Sequence, residues 1–404
     1  MILSRRKFLQ RAGILGCSVA ASPLLTQMSF AAMPSDNRLV VIILRGGMDG
    51  LDVVQPYGDP EFSKLRPNLK FGEKSGATDL DGFFSLNRGL SDLMPLWQKG
   101  ELGFAHAVST PYRDKRSHFD GQDLLEAGLG MDGIGQVNDG WLNRMLQVMP
   151  DVDARTGFAI GREEMLVLEG DMPVSNWSPD THLSLSARTK RLLEMVYHDD
   201  ALFNASVSEA FDLASALGKG MAENVDPKLL QQQLMASLKG GSHKRVAKFA
   251  ANRLLADTRV AAFSINGWDT HDNQGKTLKS ALTKLSDSIL ILKQELGEIW
   301  GKTAVLAVTE FGRTARENGT KGTDHGTGGA MVMAGGAISG GKVFGKWPGL
   351  KEADLYQNRD LAPAMDVRAY CASAMQDLFG IEQTMLEGAI FPGLDMAGVS
   401  RIIL

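Results

Sequence analysis

Cysteine is almost missing: Cys17 and Cys371 are the two in a chain of 404 residues. So sparse a supply excludes a scaffold built on disulfides, and stability must come from an apolar core, which a chain of this length can bury amply. A basic excess is missing too, since 43 Lys and Arg stand against 47 Asp and Glu for a formal net charge of −4. No nucleic-acid partner is expected on that balance. Glycine is plentiful at 45 residues, yet neither of its richest pieces, "GGMDG" and "GTGGAMVMAGG", has the G-x-G-x-x-G or G-x-x-x-x-G-K-[ST] form at a strand-to-helix turn. Both therefore read as tight turns and close backbone approach, not as nucleotide loops. Internal repeats and low-complexity tracts are absent from the sequence as well.

The first residues are a targeting segment rather than part of a fold. "LSRRKFLQRAGILGCSVAASPLLTQMSFAA" joins a basic start, a modest apolar core and small residues, and Ser4 to Leu9 spell the twin-arginine form S-R-R-x-F-L. The apolar stretch Ala12 to Leu25 is shorter than a spanning helix needs, so no stable membrane span is expected. Cleavage after Ala31 suits the small residues Ser29 and Ala31; a lipoprotein reading at Cys17, after Ile14, Leu15 and Gly16, is the alternative. Residues 1–31 hold Arg5, Arg6, Lys7 and Arg11 and no acid, so their removal takes the net charge from −4 to −8 and leaves Cys371 as the single thiol. The expected product is periplasmic or secreted, with the twin-arginine translocase as its partner during export and folding completed in the reducing cytoplasm.

Apolar runs bounded by turn residues recur at 39–44, 102–108, 165–170, 260–265, 304–309 and 330–336 and read as buried strands. Helical patterns lie between them, clearest from Lys276 to Trp300, where Leu278, Leu282, Leu285, Ile289, Leu292, Leu296 and Ile299 recur at three- and four-residue steps. This alternation implies an α/β fold with a mostly parallel central sheet flanked by helices on both faces. Residues from about 171 to 258 have few strand signals and are expected to form a helical insertion in a single domain spanning 32–404.

Open α/β sheets gather ligands where strands end. Four polar loops follow or precede strand signals: 45–52, 109–123, 266–273 and 309–329. Asp269 and His271 stand two apart and can face one side of an extended segment, and Asp324 and His325 follow in a Gly-rich turn. His118, His271 and His325, three of the seven histidines, fall in these loops, each within two residues of an Asp. Mixed nitrogen and oxygen donors suit Zn, Mn or Fe better than Ca. In the second loop Ser117 and Thr110 are candidate nucleophiles or phosphate contacts, with Arg113, Lys115 and Arg116 beside them to neutralise an oxyanion; helix capping is the competing reading of Ser117.

The motifs "LRGGMDGLDVVQPYGDP", "TPYRDKRSHFDGQD", "NGWDTHDNQ" and "TEFGRTARENGTKGTDHGTGGAM" resemble, in order and wording, the bacterial exported family called domain of unknown function 1501. That family in turn resembles the alkaline phosphatase and sulfatase superfamily. The resemblance implies an alkaline-phosphatase-like fold and a metal-assisted site for phosphate or sulfate esters, with a small-molecule or glycan ester as substrate. It also implies a metal half-site of Asp269, His271 and His325. For a second half-site the superfamily uses an acid at the end of the first strand and an Asp-His pair after a late strand. Gly46 stands at the first position here with Asp49 three residues on, and Glu310 and Phe311 stand at the second. Alternatively Asp324 and His325 are themselves that pair. With fewer ligands than a two-metal hydrolase uses, a catalytically degenerate binding or assembly protein is the alternative to a hydrolase.

Overall fold

The computed structural model describes residues 36–133, 139–161, 165–177 and 241–404. The chain divides between Pro34 and Ser35, and Ser35–Leu404 form one unit. The targeting segment, its expected cleavage point and Cys17 lie outside the described residues, as does 178–240 of the expected insertion.

β1 (Arg38–Arg45) is apolar from Leu39 to Leu44, with no polar residue to turn toward solvent, so it can only be a central strand. Its side chains alternate between two cores. Leu39, Val41 and Ile43 join one apolar cluster; Val40, Ile42 and Leu44 join the other. The helices Trp141–Val148 and Val367–Phe379 cover the first face, and the helices Ser242–Leu255 and Gln274–Leu296 cover the second.

Eleven more strands follow in chain order. β2 (Val54–Gln55), β3 (Thr78–Asp79) and β4 (Ser85–Leu86) make a small antiparallel sheet in the order β2-β4-β3. The rest form the main sheet with β1: β5 (Leu102–Ser109), β6 (Gly157–Ile160), β7 (Ser175–Trp177), β8 (Val260–Asn266), β9 (Thr303–Val308), β10 (Gly329–Ala334), β11 (Val343–Phe344) and β12 (Met365–Asp366). Their order is β11-β5-β10-β9-β1-β8-β6-β7, with β12 beside β5. Every pairing is parallel except the two made by β10, which runs against β5 and β9. The mostly parallel sheet covered on both faces is thus as expected from the alternation of elements.

Two sequence readings need correction. The apolar run 165–170 is no strand: Leu166–Leu168 form a single 3-10 turn whose Val167 and Leu168 pack into the first core, and the strand is β6, just before it. The described ends of the expected insertion belong to the main layers, since β7 pairs with β6 and the helix Ser242–Leu255 sends Ala247, Phe249, Ala250, Ala251 and Leu254 into the second core.

Candidate metal centre

Because β10 is reversed, its first residue lies at the edge where β1, β5, β8 and β9 end; Gly329 pairs with Val108 near the end of β5. All four polar loops therefore meet at one edge. Gly46 lets them close up. Its φ of +123° is open to glycine, and a Cβ there would lie 2.6 Å from the backbone nitrogen of Asp269. The loop after β1 thus touches the loop after β8 backbone to backbone.

Three imidazoles and a carboxylate share this ground. Nε2 of His325 is 3.3 Å from Asp269 Oδ1, and Nε2 of His271 is 3.0 Å from that same oxygen and 3.0 Å from His325 Nε2. His118 Nε2 is 3.5 Å from Asp269 Oδ2. Donor atoms of His118, Asp269 and His325 all lie within 4.8 Å of one another. The rings of His118 and His325 meet edge to face at 4.2 Å, and Phe311 stacks on His118 at 5.1 Å.

The outer nitrogens decide what the inner ones can do. His118 Nδ1 donates to Glu310 Oε1 at 2.8 Å, and His325 Nδ1 donates to the Arg116 carbonyl at 2.9 Å. His271 Nδ1 lies 3.3 Å from Asp324 Oδ1. With the proton assigned to Nδ1 in each ring by these partners, the Nε2 atoms present lone pairs to one another and to Asp269. Lone pairs and a carboxylate at such distances repel unless a cation lies among them. Buried His118 Nε2 has no hydrogen-bond partner, which is the vacancy in bonding that a ligand nitrogen shows. A histidine whose far nitrogen is tied to a carboxylate or carbonyl is how metal ligands are oriented. The residues present fit a divalent ion.

Electrostatics reinforce the arrangement. Glu310 is fully buried and burial alone would push its carboxyl up, but His118, Gln122 at 3.1 Å and the Gly46 N–H at 2.9 Å donate to it and hold it below the usual range. Its carboxylate in turn raises the basicity of His118 above that of an ordinary imidazole, against the opposing effect of burial. Burial lowers His325. Burial works upward on Asp269 too, yet Arg313 and the three imidazoles keep it below the usual carboxylate value. Arg313 Nη1 donates to Asp269 Oδ1 at 3.0 Å from a fully buried side chain.

Not every residue singled out from sequence arrives here. Asp269, His271 and His325 do, and Asp324 and Glu310 hold imidazoles from behind. Asp49 does not: Arg66 and Gln274 occupy both of its oxygens in the interior. Thr110 is buried with its hydroxyl donating to the Glu310 carbonyl at 3.0 Å, so it ties two loops together and is closed to substrate. Ser117 caps the helix His118–Ala127 by accepting from the Asp120 N–H at 3.4 Å, as the competing reading held. Arg116 contributes its backbone carbonyl to His325; its side chain is exposed. Sequence reasoning placed His118 among the three loop histidines but left it out of the metal set, and it did not single out Arg313 as the counter-charge. The signal for His118 was its place in the polar loop after β5, one residue past a helix cap and two before Asp120.

The family model described as Protein of unknown function (DUF1501) matches residues 98–390. The chain belongs to that family. No curated protein sequence matches this DUF1501 chain. Among solved structures it is similar to a protein in the alkaline phosphatase superfamily from Vibrio parahaemolyticus, at TM-score 0.39 and 10% identity over 86% of this chain and 69% of that one. A second is the C-terminal periplasmic domain of EcEptC from Escherichia coli in complex with Zn, at TM-score 0.35 and 10% identity over 74% and 73%. A third is the TAB5 alkaline phosphatase mutant with Mg bound, at TM-score 0.30 and 13% identity over 75% and 91%.

Proposed function

We propose that this DUF1501 protein is exported by the twin-arginine translocase to the periplasm or the exterior, as the Ser4–Leu9 motif suggests, and there hydrolyses phosphate or sulfate esters with a bound divalent metal ion. The observation that carries the reading is the convergence of His118, His271 and His325, each with its Nδ1 tied to an oxygen, on the carboxylate of Asp269. His118, Asp269 and His325 would hold the ion, Zn or Mn by donor type, with His271 as a fourth donor or a proton carrier at the exposed rim. When bound, such an ion polarises an ester oxygen and makes a water molecule acidic.

The chain's own groups do the rest. Glu310 and the Arg116 carbonyl fix the tautomers of His118 and His325, Phe311 walls the rings from water on one side, and Arg313 offsets the charge on Asp269. His271, with Asp324 at its Nδ1, can hold or pass a proton at Nε2. Since Thr110 and Ser117 have structural duties, water is the nucleophile in this reading. The same observation favours a second reading, a metal-binding assembly protein without turnover. Metal analysis of the mature protein, with chromogenic phosphate and sulfate esters assayed before and after chelation, separates the two. Hydrolysis abolished by chelation and by Asp269→Ala supports the enzyme; one equivalent of metal without any chelator-sensitive hydrolysis supports the second; no bound metal rejects both.

A further inference from the structure

A second cavity lies beyond the metal centre, of about 380 Å³, within the size of small-ligand sites. Lys70, Lys74, Arg88, Lys276, Lys279 and Lys321 line it. These six cations come from four separate stretches of chain. Lys276 and Lys279 stand three apart on the helix Gln274–Leu296, so they share a face. Lys321 sits at a φ of +60°, and its carbonyl accepts from the Gln274 N–H at 2.9 Å, which pins its loop to the start of that helix.

None of the six forms an ion pair among the described residues, and each is exposed. The single acid in the lining is spent. Asp52 is buried, with Gln55, Asn87 and Gln274 donating to its oxygens, and burial followed by neighbouring Asp49 pushes its carboxyl up toward neutrality. Glu317 accepts from Asn68 and from the Leu69 N–H at the cavity's border. A chain with formal net charge −4 has thus gathered six unpaired cations in one concavity. Such a cluster repels itself and carries a focused positive field.

We propose that this cavity binds a small multivalent oxyanion, one carrying two or more phosphate or sulfate groups. Singly charged ligands would leave most of the cations unmatched, and a carboxylate-lined partner surface could not enter a concavity of this volume. The proposal does not rest on the metal reading. The two sites are neighbours along the chain: His271 belongs to the cluster, and Asn273 lines the cavity.

Calorimetric titration of the full mature protein with tripolyphosphate, and separately with sucrose octasulfate, in chelator-containing buffer tests it. Wild type binds at least one of the two, and the tighter identifies the chemical source. The double charge reversal Lys276→Glu, Lys279→Glu, at exposed helix positions, weakens binding by about tenfold or more, and raising salt from about 50 to about 300 mM weakens wild type similarly. Asp269→Ala leaves binding intact. Absence of binding by wild type, equal binding by the double variant, or loss of binding in Asp269→Ala each overturns the proposal.

Discussion

Arg66 holds Asp49 with both terminal nitrogens, at 2.6 and 3.0 Å, in a pair sealed from solvent. The same guanidinium donates to the carbonyls of Thr314 at 2.8 Å and Ala315 at 3.0 Å, and Gln274 adds a third donor to Asp49 at 2.6 Å. Asp49 is therefore the knot between the loop after β1, the loop before β10 and the start of a long helix. Removing one member of a buried pair strands the other charge. Asp49→Ala is expected to lose about 3–5 kcal/mol in urea unfolding, while the folded fraction keeps its metal affinity. Loss of metal without loss of stability would make Asp49 a ligand after all.

In the proposed metal reading Glu310 acts through His118, whose Nδ1 donates to it at 2.8 Å. Glu310→Gln removes the carboxylate that fixes the ring's tautomer and is expected to weaken metal affinity about 10- to 100-fold, read by competition with a chelator of known strength. His118→Ala, which deletes the donor itself, should weaken it further. Equal affinities in wild type and Glu310→Gln would show that the hydrogen bond orients nothing.

Gly46 and Gly275 form a matched pair of probes. A methyl group at Gly46 meets the Asp269 backbone at 2.6 Å, whereas one at Gly275 meets nothing within 4 Å. Gly46→Ala should push the Asp269 loop away and lower both stability and metal affinity. Gly275→Ala, in the first turn of a helix, should leave metal affinity unchanged and stabilise the fold by up to about 1 kcal/mol. Thermal unfolding with and without added metal measures both effects.

His106 supplies a pH dependence away from the metal. Its ring is buried between Phe84 and Trp347, Nε2 donates to the Val54 carbonyl at 2.9 Å, and Nδ1 accepts from the Ala107 N–H at 2.8 Å. Burial pushes it down from 6.5 to about 4. Below pH 6.5 the unfolded chain takes up a proton that the folded chain refuses, so this group's contribution is whole above that pH and drains away toward about 4. The loss amounts to about 3 kcal/mol. Unfolding titrations between these limits should show a shallower pH slope for His106→Gln than for wild type; parallel slopes would refute the assignment.

Much of this was legible in the sequence because strand interiors and loop chemistry are local. The run Leu39–Leu44 can only be a strand buried on both faces, and a parallel sheet delivers its loops to one edge, which is why Asp269, His271 and His325 meet. What escaped was non-local. Nothing near Asp49 announces that Arg66 will close on it, and Thr110 reads as a free hydroxyl until the Glu310 carbonyl arrives from 200 residues away. His118 was visible as a loop histidine but stayed out of the metal set, because the capping signal of Ser117 before it is stronger than any sign that the next residue turns inward. The 165–170 run failed because an apolar segment of that length packs equally well as a turn.

The reversal of β10 has a mechanical meaning. The stretch from Thr309 to Gly328 departs from and returns to neighbouring rungs of the same ladder, so its two feet are bolted to adjacent strands. A segment clamped at both feet behaves as a bracket rather than a flap. Glu310 at one foot and His325 close to the other are thereby held at a fixed spacing, while His118 and His271 come to the centre from separate loops.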